Sequence, residues 1–525
     1  MMPSANEEWT DWINLTSMSE PFSFARGGIL RQTAFAAMPT VISTSELVPV
    51  PLAKILSDTP ELERAYLVGG CVRDWLLGCP TKDCDIEVFG LNYEQLANAL
   101  TRWGKTDLVG RSFGVIKLSI PSGPTFDFTI PRRDSKVAPG HKGFDISFDP
   151  SLTPEQAAGR RDFTINSLMY DPRRQQLLDF FDGENDLKNR LLRHASAAFV
   201  EDPLRVLRGM QLAARFSLTA DPRTLELCRS MKATYPELAV ERVREEWFKW
   251  ASKSTHPSAG LKFLVQTEWI DHFPELEALI GTPQDPAWHP EGDVFVHTCH
   301  CCDAMVALRE WQEADEQTRI VLSHAVLTHD FGKATSTHEA IKDDELRIIS
   351  PGHEEAGVAL AESFLARFKT PYAIIERVVP LIRNHMAHLH EVTDRSIRRL
   401  SKRLEPESIQ NLCTLMTADA FGRPPRPPKI PRVVTLLQEK AAELQVQQRA
   451  PQPILLGRHL LDLGMQPGPQ MGTILKAAYD AQLEGKFFDF NQALRWLANE
   501  VAVSNADLAE NARKAVSDPN LQSNA

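Results

Sequence analysis

Two aspartates separated by one residue, Asp83 and Asp85, are the side chains in this sequence that most clearly suggest chemistry. They belong to the stretch 66–90, YLVGGCVRDWLLGCPTKDCDIEVFG. Side chains on a β-strand alternate between faces with a period of two, so both carboxylates would point the same way. Two carboxylates this close repel each other unless cations lie between them, and such a pair can bind the Mg²⁺ ions of nucleotidyl transfer. An isolated Asp-x-Asp, by contrast, is usually a solvated strand edge.

A strand, a turn and a helix are predicted just before the aspartates. Residues 65–68 are apolar and strand-like, and apolar residues at helical spacing over 71–77 predict a short helix. Between them, Gly69 and Gly70 have no Cβ and would let backbone N–H groups approach a triphosphate. Arg73 lies one turn into the helix and is a candidate phosphate clamp. The segment therefore predicts a nucleotide site beside the metal site.

Further candidates for this site follow along the chain. Two strands are predicted over 114–120 and 125–130, and the second carries Asp127 as a candidate third carboxylate. The sequence leaves open whether Asp127 lies opposite the first pair. The stretch 131–150 is rich in Pro and Gly and is predicted to be a mobile loop. Arg161 in GRRDFTIN has the planar guanidinium that suits phosphate or ribose contacts.

A set of charged residues in EDPLRVLRGMQ has helical spacing. Asp202, Arg205 and Arg208 stand at i, i+3 and i+6, which predicts one side of a helix. A carboxylate acceptor and guanidinium donors can hydrogen-bond the Watson–Crick edge of a base and so select a nucleotide without a template. Taken alone, the spacing favours ordinary surface Asp–Arg pairs. In the later AVERVREEWFKW segment, Glu241 and Arg242 favour helix capping and salt bridges.

Together these motifs resemble the class II CCA-adding tRNA nucleotidyltransferases and the related bacterial poly(A) polymerases. The motifs LVGGxVRDxLLG…DxD, RRDFTIN, the Asp-Gly bend at 182–183, EDPLRxLR and ERV occur in the family's order. The resemblance implies a polymerase-β-like α+β head, a mixed sheet with helices, followed by all-α domains. It implies the following roles: catalytic Mg²⁺ bound by Asp83 and Asp85, triphosphate contacts from Gly69, Gly70 and Arg73, and selection of CTP or ATP by Arg161, Asp202, Arg205 and Arg208.

Imidazoles and carboxylates recur at the ends of helical patterns further along the chain: His329, Asp330, His353, His385 and Asp419. Imidazole and carboxylate groups together can bind a divalent metal, and a water molecule bound to such a metal can act in hydrolysis. A single helical histidine is more often packed or on the surface. The order H…HD…H…H…D, however, resembles the HD phosphohydrolase superfamily. This resemblance adds His297 to the ligands of a divalent metal of unspecified identity, and Lys333 as a phosphate contact.

A run of potential metal ligands follows His297 at 299–302, Cys-His-Cys-Cys. Helical spacing would point these residues to different sides, and no second CxxC is present. We therefore predict small core residues rather than a zinc site. The chain's eight cysteines lack a regular spacing, which favours reduced thiols over a disulfide framework.

Length and charge limit the class of protein. The 525 residues are 43% hydrophobic and carry a formal net charge of −11, which predicts several globular domains and argues against nonspecific coating of nucleic acid. Without an apolar run of about 18 residues or a secretory signal, we expect a cytoplasmic protein with no membrane contact. The expected domains are as follows: 1–60, a poorly ordered extension; 61–195, the head; 196–285, a helical neck; 286–422, the HD domain; and 423–525, a helical tail.

The leading hypothesis is an enzyme that adds C, C and A to tRNA from CTP and ATP and hydrolyses phosphoesters in its HD domain, as a phosphatase or 2′,3′-cyclic phosphodiesterase. The tail motif GRHLLDLGMQPGPQMGTIL also resembles CCA-adding enzymes. A poly(A) polymerase, or a partial enzyme adding only CC or only A, is the first alternative. The alternative of another class is an HD phosphohydrolase whose head only binds RNA, although the intact Asp-x-Asp argues against it.

Overall fold

The computed structural model describes residues 47–79, 84–107, 114–136, 144–342, 344–387, 392–501 and 505–516. Asp83 and most of the N-terminal extension lie outside these residues. The chain divides into two compact units, Met1–Ala278 with Ala366–Thr370, and Leu279–Leu365 with Pro371–Ala525. An α+β region precedes a predominantly helical one, which confirms the predicted fold class. Among the described residues, no helix is both long and apolar enough to cross a bilayer.

The head is built on a mixed sheet. Its strands and those of an adjoining hairpin are β1 (Ala65–Val68), β2 (Asp85–Val88), β3 (Lys105–Asp107), β4 (Val115–Ser119), β5 (Thr125–Thr129), β6 (Arg132–Lys136), β7 (Phe144–Phe148), β8 (Met169–Asp171) and β9 (Gln176–Leu178). Seven of them form one sheet in the order β3-β4-β5-β2-β1-β8-β9. Strands β2 and β5 run parallel, and the other neighbours are antiparallel. The sheet therefore sets β2 beside β5, although β3 and β4 lie between them in sequence.

The stretch 131–150 differs from its prediction. Strands β6 and β7 pair antiparallel, from Arg132 opposite Phe148 to Lys136 opposite Phe144, so the two flanks of the predicted mobile loop are strands, and residues 137–143 lie outside the described residues. The signal was present in the sequence, because Phe144, Ile146 and Phe148 alternate with polar residues in the period of a strand. The loop was predicted from the Pro and Gly content of the stretch, which does not exclude short strands.

The helices of the first unit surround this sheet and continue beyond it: α1 (Val50–Ser57), α2 (Gly70–Leu76), α3 (Tyr93–Thr101), α4 (Pro154–Gly159), α5 (Gly183–Lys188), α6 (Leu204–Phe216), α7 (Pro222–Ser230), α8 (Val240–Lys253), α9 (Pro257–Gln266) and α10 (Pro274–Glu277). Leu52 and Ile55 of α1 pack into the same apolar cluster as Leu67, Ile86 and Phe128 of the sheet. The head therefore begins before residue 61, because burial of these side chains holds α1 in the core.

Close packing joins the helices that follow the head. A Cβ on Gly260 of α9 would lie 2.6 Å from the carbonyl oxygen of Met210 in α6, so only glycine allows this approach. Strands β10 (Leu191–Leu192) and β11 (Thr219–Ala220) form a short parallel pair at the start of the region. This packing holds the middle of α6 against α9.

The second unit is mainly helical: α11 (Val294–Ala307), α12 (Arg309–Glu313), α13 (Glu316–Thr328), α14 (Lys333–Ser336), α15 (His353–Arg367), α16 (Tyr372–Asn384), α17 (Asp394–Leu404), α18 (Ile409–Phe421), α19 (Arg432–Glu443), α20 (Gly457–Asp462), α21 (Pro469–Leu483), α22 (Phe490–Glu500) and α23 (Ala506–Val516). A hairpin of β12 (His338–Lys342) and β13 (Glu345–Ile349) precedes α15. Helices α20–α23 share an apolar cluster that includes Leu460, Phe487 and Leu497.

Candidate functional sites

Two carboxylates stand side by side on the sheet of the head. Asp85 of β2 and Asp127 of β5 are direct partners in the parallel pairing. Partners on adjacent parallel strands point to the same face, and their backbones are roughly 4.8 Å apart. Asp85 is exposed and Asp127 half-buried, with Lys117 Nζ 3.5 Å from its carboxylate. The register thus answers what the sequence left open, while Asp83 lies outside the described residues.

The turn before α2 brings two predicted nucleotide contacts together. Gly69 has φ +75, and a Cβ there would lie 2.6 Å from Arg161 Nη1. Arg161 also lies 3.5 Å from the Glu87 carboxylate, so a carboxylate partner holds its guanidinium against the glycine backbone. A guanidinium and a Cβ-free turn form one polar surface, and this surface can receive a phosphate.

Arg73 occupies a different place from the predicted phosphate clamp. Its side chain is buried, with Nη2 2.6 Å from Asp74 Oδ1 and Nη1 donating to Asn166. The guanidinium also stacks on Phe216, 4.5 Å from the ring centroid. These contacts occupy the donors and hold α2 against its neighbours.

A buried carboxylate, Asp162, was not predicted. It accepts hydrogen bonds from Arg208 Nε at 2.7 Å, Asn166 Nδ2 at 2.9 Å and the backbone N–H of Phe163 at 2.8 Å. Burial opposes its charge, but Arg208 and these donors hold the pKa of Asp162 at about 2. The only sequence signal was its place after the two arginines of GRRDFTIN. Asp162 joins that motif to α6.

The predicted row of Asp202, Arg205 and Arg208 is wrong in one respect. Asp202 has extended backbone and precedes α6, where its carboxylate accepts from the N–H of Leu204 at 3.1 Å. Arg205 donates to backbone carbonyls, and Arg208 pairs with a buried carboxylate. The helix begins two residues too late to hold all three on one side, because Pro203 starts the turn that Asp202 caps.

Asp202 has an arginine partner on another helix. Arg242 Nη2 of α8 lies 2.7 Å from Asp202 Oδ2, and both side chains are partly exposed. The predicted salt-bridge role of Arg242 is confirmed by this contact. The pair leaves an acceptor and donors at the surface of the neck, which is the polar set that a base edge requires.

The second unit brings all the predicted metal ligands together. His297 lies on α11, and the others lie at helix termini: His329 and Asp330 after α13, His353 at the start of α15, His385 after α16 and Asp419 near the end of α18. All six are buried. Asp330 links the set, since its Oδ2 lies 3.2 Å from His329 Nε2 and its Oδ1 lies 3.3 Å from His353 Nε2.

The hydrogen bonds of three histidines orient them for metal binding. Nδ1 of His329, His353 and His385 lies 2.7–2.8 Å from a backbone carbonyl oxygen three residues earlier. A ring that donates through Nδ1 presents an unprotonated Nε2. Nε2 of His353 and Nε2 of His385 then face each other at 3.1 Å, and Nε2 of His329 is buried without a hydrogen bond. A cation between the two nitrogens would be bound by both lone pairs, so these residues fit a divalent metal.

Residues that the sequence did not single out complete this site. Glu291 Oε1 lies 2.8 Å from Nδ1 of both His289 and His297, a carboxylate–histidine arrangement typical of metal centres. Burial opposes the charge of Glu291, but the two histidines hold its pKa at about 2. Arg423 pairs with Asp419 at 2.7 Å, although residue 423 is the first of the predicted tail. The HPEGD motif before His297 was the available signal for Glu291.

Lys333 and the cysteine run have distinct positions. Lys333 Nζ lies 2.7 Å from Asp330 Oδ2 and donates to Gln284 Oε1 at 2.8 Å, so it holds a predicted ligand from within the site.

Cys299 and Cys302 are buried in the core, as predicted. Cys301 departs from that prediction, because residue i+4 of a helix shares a face with residue i and its Sγ contacts His297.

Comparison with known proteins identifies both regions. Residues 65–193 match the poly A polymerase head domain, and residues 298–423 match the HD domain. The multifunctional CCA protein of Pasteurella multocida is 35% identical over 373 residues, which are 69% of this chain and 84% of that protein. This chain belongs to the multifunctional CCA protein family. The predicted resemblance is thereby confirmed, and so is the prediction of a nucleotidyltransferase.

Solved structures of CCA-adding enzymes share the fold of this family member. The Bacillus stearothermophilus enzyme in complex with CTP has a TM-score of 0.59 at 19% identity, covering 87% of this chain and 98% of that one. The Thermotoga maritima enzyme complexed with tRNA_CCA has a TM-score of 0.52 at 18% identity, covering 90% and 100%. At these identities the likeness concerns the architecture alone.

Proposed function

We propose that the head adds C, C and A to the 3′ end of tRNA from CTP and ATP without a nucleic-acid template. The observation that carries the proposal is the register that sets Asp85 beside Asp127 on the sheet. It rests also on membership of the multifunctional CCA protein family. The bound CTP and tRNA named for the structural neighbours are of the chemical classes that this site would take.

The residues of the head would divide the work as follows. Asp83, Asp85 and Asp127 would hold Mg²⁺, which supplies charge neutralisation and activation of the attacking hydroxyl. Arg161, held against Gly69 by Glu87, would bind the triphosphate with its planar donors. Lys117, 3.5 Å from Asp127, would limit the repulsion between the carboxylates when no Mg²⁺ is bound.

Nucleotide choice would come from side chains of the neck. The partly exposed Asp202–Arg242 pair presents a carboxylate acceptor and guanidinium donors, which can read the Watson–Crick edge of cytosine or adenine. Arg205 and Arg208 would keep the pair in place, since their contacts with backbone carbonyls and Asp162 fix the start of α6.

The second unit would hydrolyse phosphoesters, as a phosphatase or 2′,3′-cyclic phosphodiesterase. A divalent metal held by ligands from this set would supply a Lewis acid and a bound water of lowered pKa. The carboxylates of Asp330 and Asp419 bring the negative charge, and Lys333 offers a cation for substrate phosphate next to Asp330. The facing Nε2 atoms of His353 and His385 support this part of the proposal.

The test of the head uses purified protein, tRNA lacking its 3′ CCA, and CTP and ATP singly or together. Sequencing of the products should give C-C with CTP alone and C-C-A with both. Long A-tracts on any RNA would instead indicate a poly(A) polymerase, and a product that stops at CC, or one that needs CC already present, would indicate a partial enzyme.

The test of the second unit uses a 2′,3′-cyclic nucleotide and a phosphomonoester with added divalent metals. Metal-dependent release of product that is lost on treatment with a chelator is expected. Absence of hydrolysis with any divalent metal would refute the hydrolase. Hydrolysis without any nucleotide addition would favour the alternative in which the head only binds RNA.

A further inference from the structure

A cysteine thiol lies among the predicted ligands of the second unit. Cys301 follows His297 by one helical turn on α11, and its Sγ lies 3.3 Å from His297 Nε2. Ligand atoms of Cys301, His297, His329 and Asp419 all lie within 4.8 Å of one another. All four residues are buried. The thiol is therefore part of the same cluster as three predicted ligands.

The imidazole of His329 gives independent support for a metal-binding role of this group. Its Nδ1 lies 2.8 Å from the carbonyl oxygen of Val326, while Nε2 belongs to the cluster and is buried without a hydrogen bond, 3.2 Å from Asp330 Oδ2. His297 Nε2 lies 3.1 Å from Asp419 Oδ1. Ligands at zinc-like distances around a tetrahedral ion stand roughly 3.3–3.6 Å apart, close to the separations of His297 Nε2 from Cys301 Sγ and from Asp419 Oδ1.

The alternative role for Cys301 is simple packing, as for its neighbours Cys299 and Cys302. Those two thiols belong to none of the possible metal-binding groups among the described residues. Cys301 differs also in the space around it, because a Cβ on Gly422 would lie 2.2 Å from its Sγ. A glycine at the end of α18 thus makes room for sulfur beside the carboxylate that α18 contributes.

We propose that Cys301 is a thiolate ligand of the metal in the HD domain, together with His297, His329 and Asp419. This inference rests on the proposed metal site of the second unit. The Sγ–H bond breaks on metal binding, its electron pair forms the metal–sulfur bond and the proton passes to solvent. Thiolate is a soft ligand, so the group selects Zn²⁺, Co²⁺ or Fe²⁺ over Mg²⁺ and Mn²⁺.

The full-length protein, freed of metal by a chelator and then loaded with Co²⁺, tests this assignment without any substrate. Sulfur-to-cobalt charge transfer should give a near-ultraviolet absorption band that Cys301→Ser loses. Cys302→Ser, a change of the same chemistry at a buried position on the same helix, should keep the band. The affinity for Zn²⁺ should fall at least about tenfold in Cys301→Ser, with the affinity for Mg²⁺ unchanged.

X-ray absorption at the zinc edge of the unmutated protein gives a second readout that needs no variant to fold. A sulfur scatterer at about 2.3 Å is expected. Cobalt or zinc that binds with only nitrogen and oxygen ligands, or a band that survives in Cys301→Ser, would overturn the proposal. Because neither measurement involves turnover, failure of the hydrolase assay and failure of this assignment are separate results.

Discussion

His353 and His385 face each other within the second unit, with their Nε2 atoms 3.1 Å apart. The Nδ1 atom of each ring lies within hydrogen-bonding distance of a backbone carbonyl oxygen, at 2.8 and 2.7 Å. Two lone pairs held this close favour a cation between them, so the backbone geometry of two helix termini prepares the site before any metal arrives.

Removing one of these rings should weaken metal binding and hydrolysis together. We expect His385→Ala to lower metal affinity by about ten- to a hundredfold and to lower hydrolysis in parallel, while nucleotide addition is unchanged. Calorimetric metal titration measures the first effect. His338→Ala, at an exposed histidine of β12, is the matched control and should alter neither activity.

Nucleotide choice should depend on the Asp202–Arg242 pair. Arg242→Ala should raise the KM for CTP and ATP by about tenfold or more, because the base edge loses a guanidinium donor and Asp202 loses its partner. Since the pair is partly exposed, the cost in stability should be at most about 1 kcal/mol. Steady-state kinetics with each nucleotide measures the effect.

The control for that variant lies on the same helix. Arg244 donates to the carbonyl oxygen of Lys369 and contacts none of the selecting residues. Arg244→Ala should leave both KM values unchanged. Equal kinetic effects of the two substitutions would indicate that α8 acts only through its packing.

The turn before α2 should tolerate only glycine at residue 69. Gly69→Ala adds a methyl group 2.6 Å from Arg161 Nη1 at φ +75 and ψ −130, a backbone region that residues other than glycine rarely adopt, so Arg161 must move and the backbone strain should cost about 1–3 kcal/mol. We expect a rise in KM for the nucleotide. Gly281→Ala has almost the same φ, +74, but no atom lies within 4 Å of the new Cβ, so it should show the strain without the kinetic effect.

The buried carboxylate Asp162 should make the stability of the head depend on pH. Its folded-state pKa of about 2 lies below the ordinary 3.8, so its contribution is present above about pH 4 and is lost as pH falls through about 2. Asp162→Asn should lower the free energy of unfolding by about 2 kcal/mol at neutral pH. The difference from the unmutated protein should shrink as pH falls through that range.

Urea unfolding at several pH values, monitored by tryptophan fluorescence, measures this difference. Asp58→Asn is the control, because Asp58 is paired with Lys54 at an exposed position and should shift the midpoint little. A constant gap between Asp162→Asn and the unmutated protein down to pH 2 would contradict the assigned pKa.

Motifs in the sequence predicted which side chains come together in the second unit because most of them lie at helix termini with a recognisable neighbour, such as His329 with Asp330. The contact between Cys301 and His297 follows from their helical spacing, although the prediction for residue 301 was a core position. The position of Asp127 was unpredictable for a physical reason. It depends on the parallel pairing of β2 with β5, which is set by the whole sheet and by nothing local.

The same reason explains why the contacts of Arg73 were not predicted. A basic residue after a Gly-Gly turn is typical of a phosphate site, and its local sequence is correct for that role. Its burial comes from Phe216 and Asn166, which follow far along the chain. Spacing in the sequence could not reveal that these partners would occupy its donors.

The central claim is that the head and the second unit carry separate active sites. Assaying both activities in Asp85→Ala tests it directly, with Asp107→Ala, an exposed aspartate on β3 of the same sheet, as the control. We predict a fall in CTP and ATP incorporation of at least about a hundredfold, with hydrolysis of 2′,3′-cyclic phosphate unchanged and both activities retained by Asp107→Ala. Incorporation that survives in Asp85→Ala, or loss of both activities in the folded variant, would contradict the account.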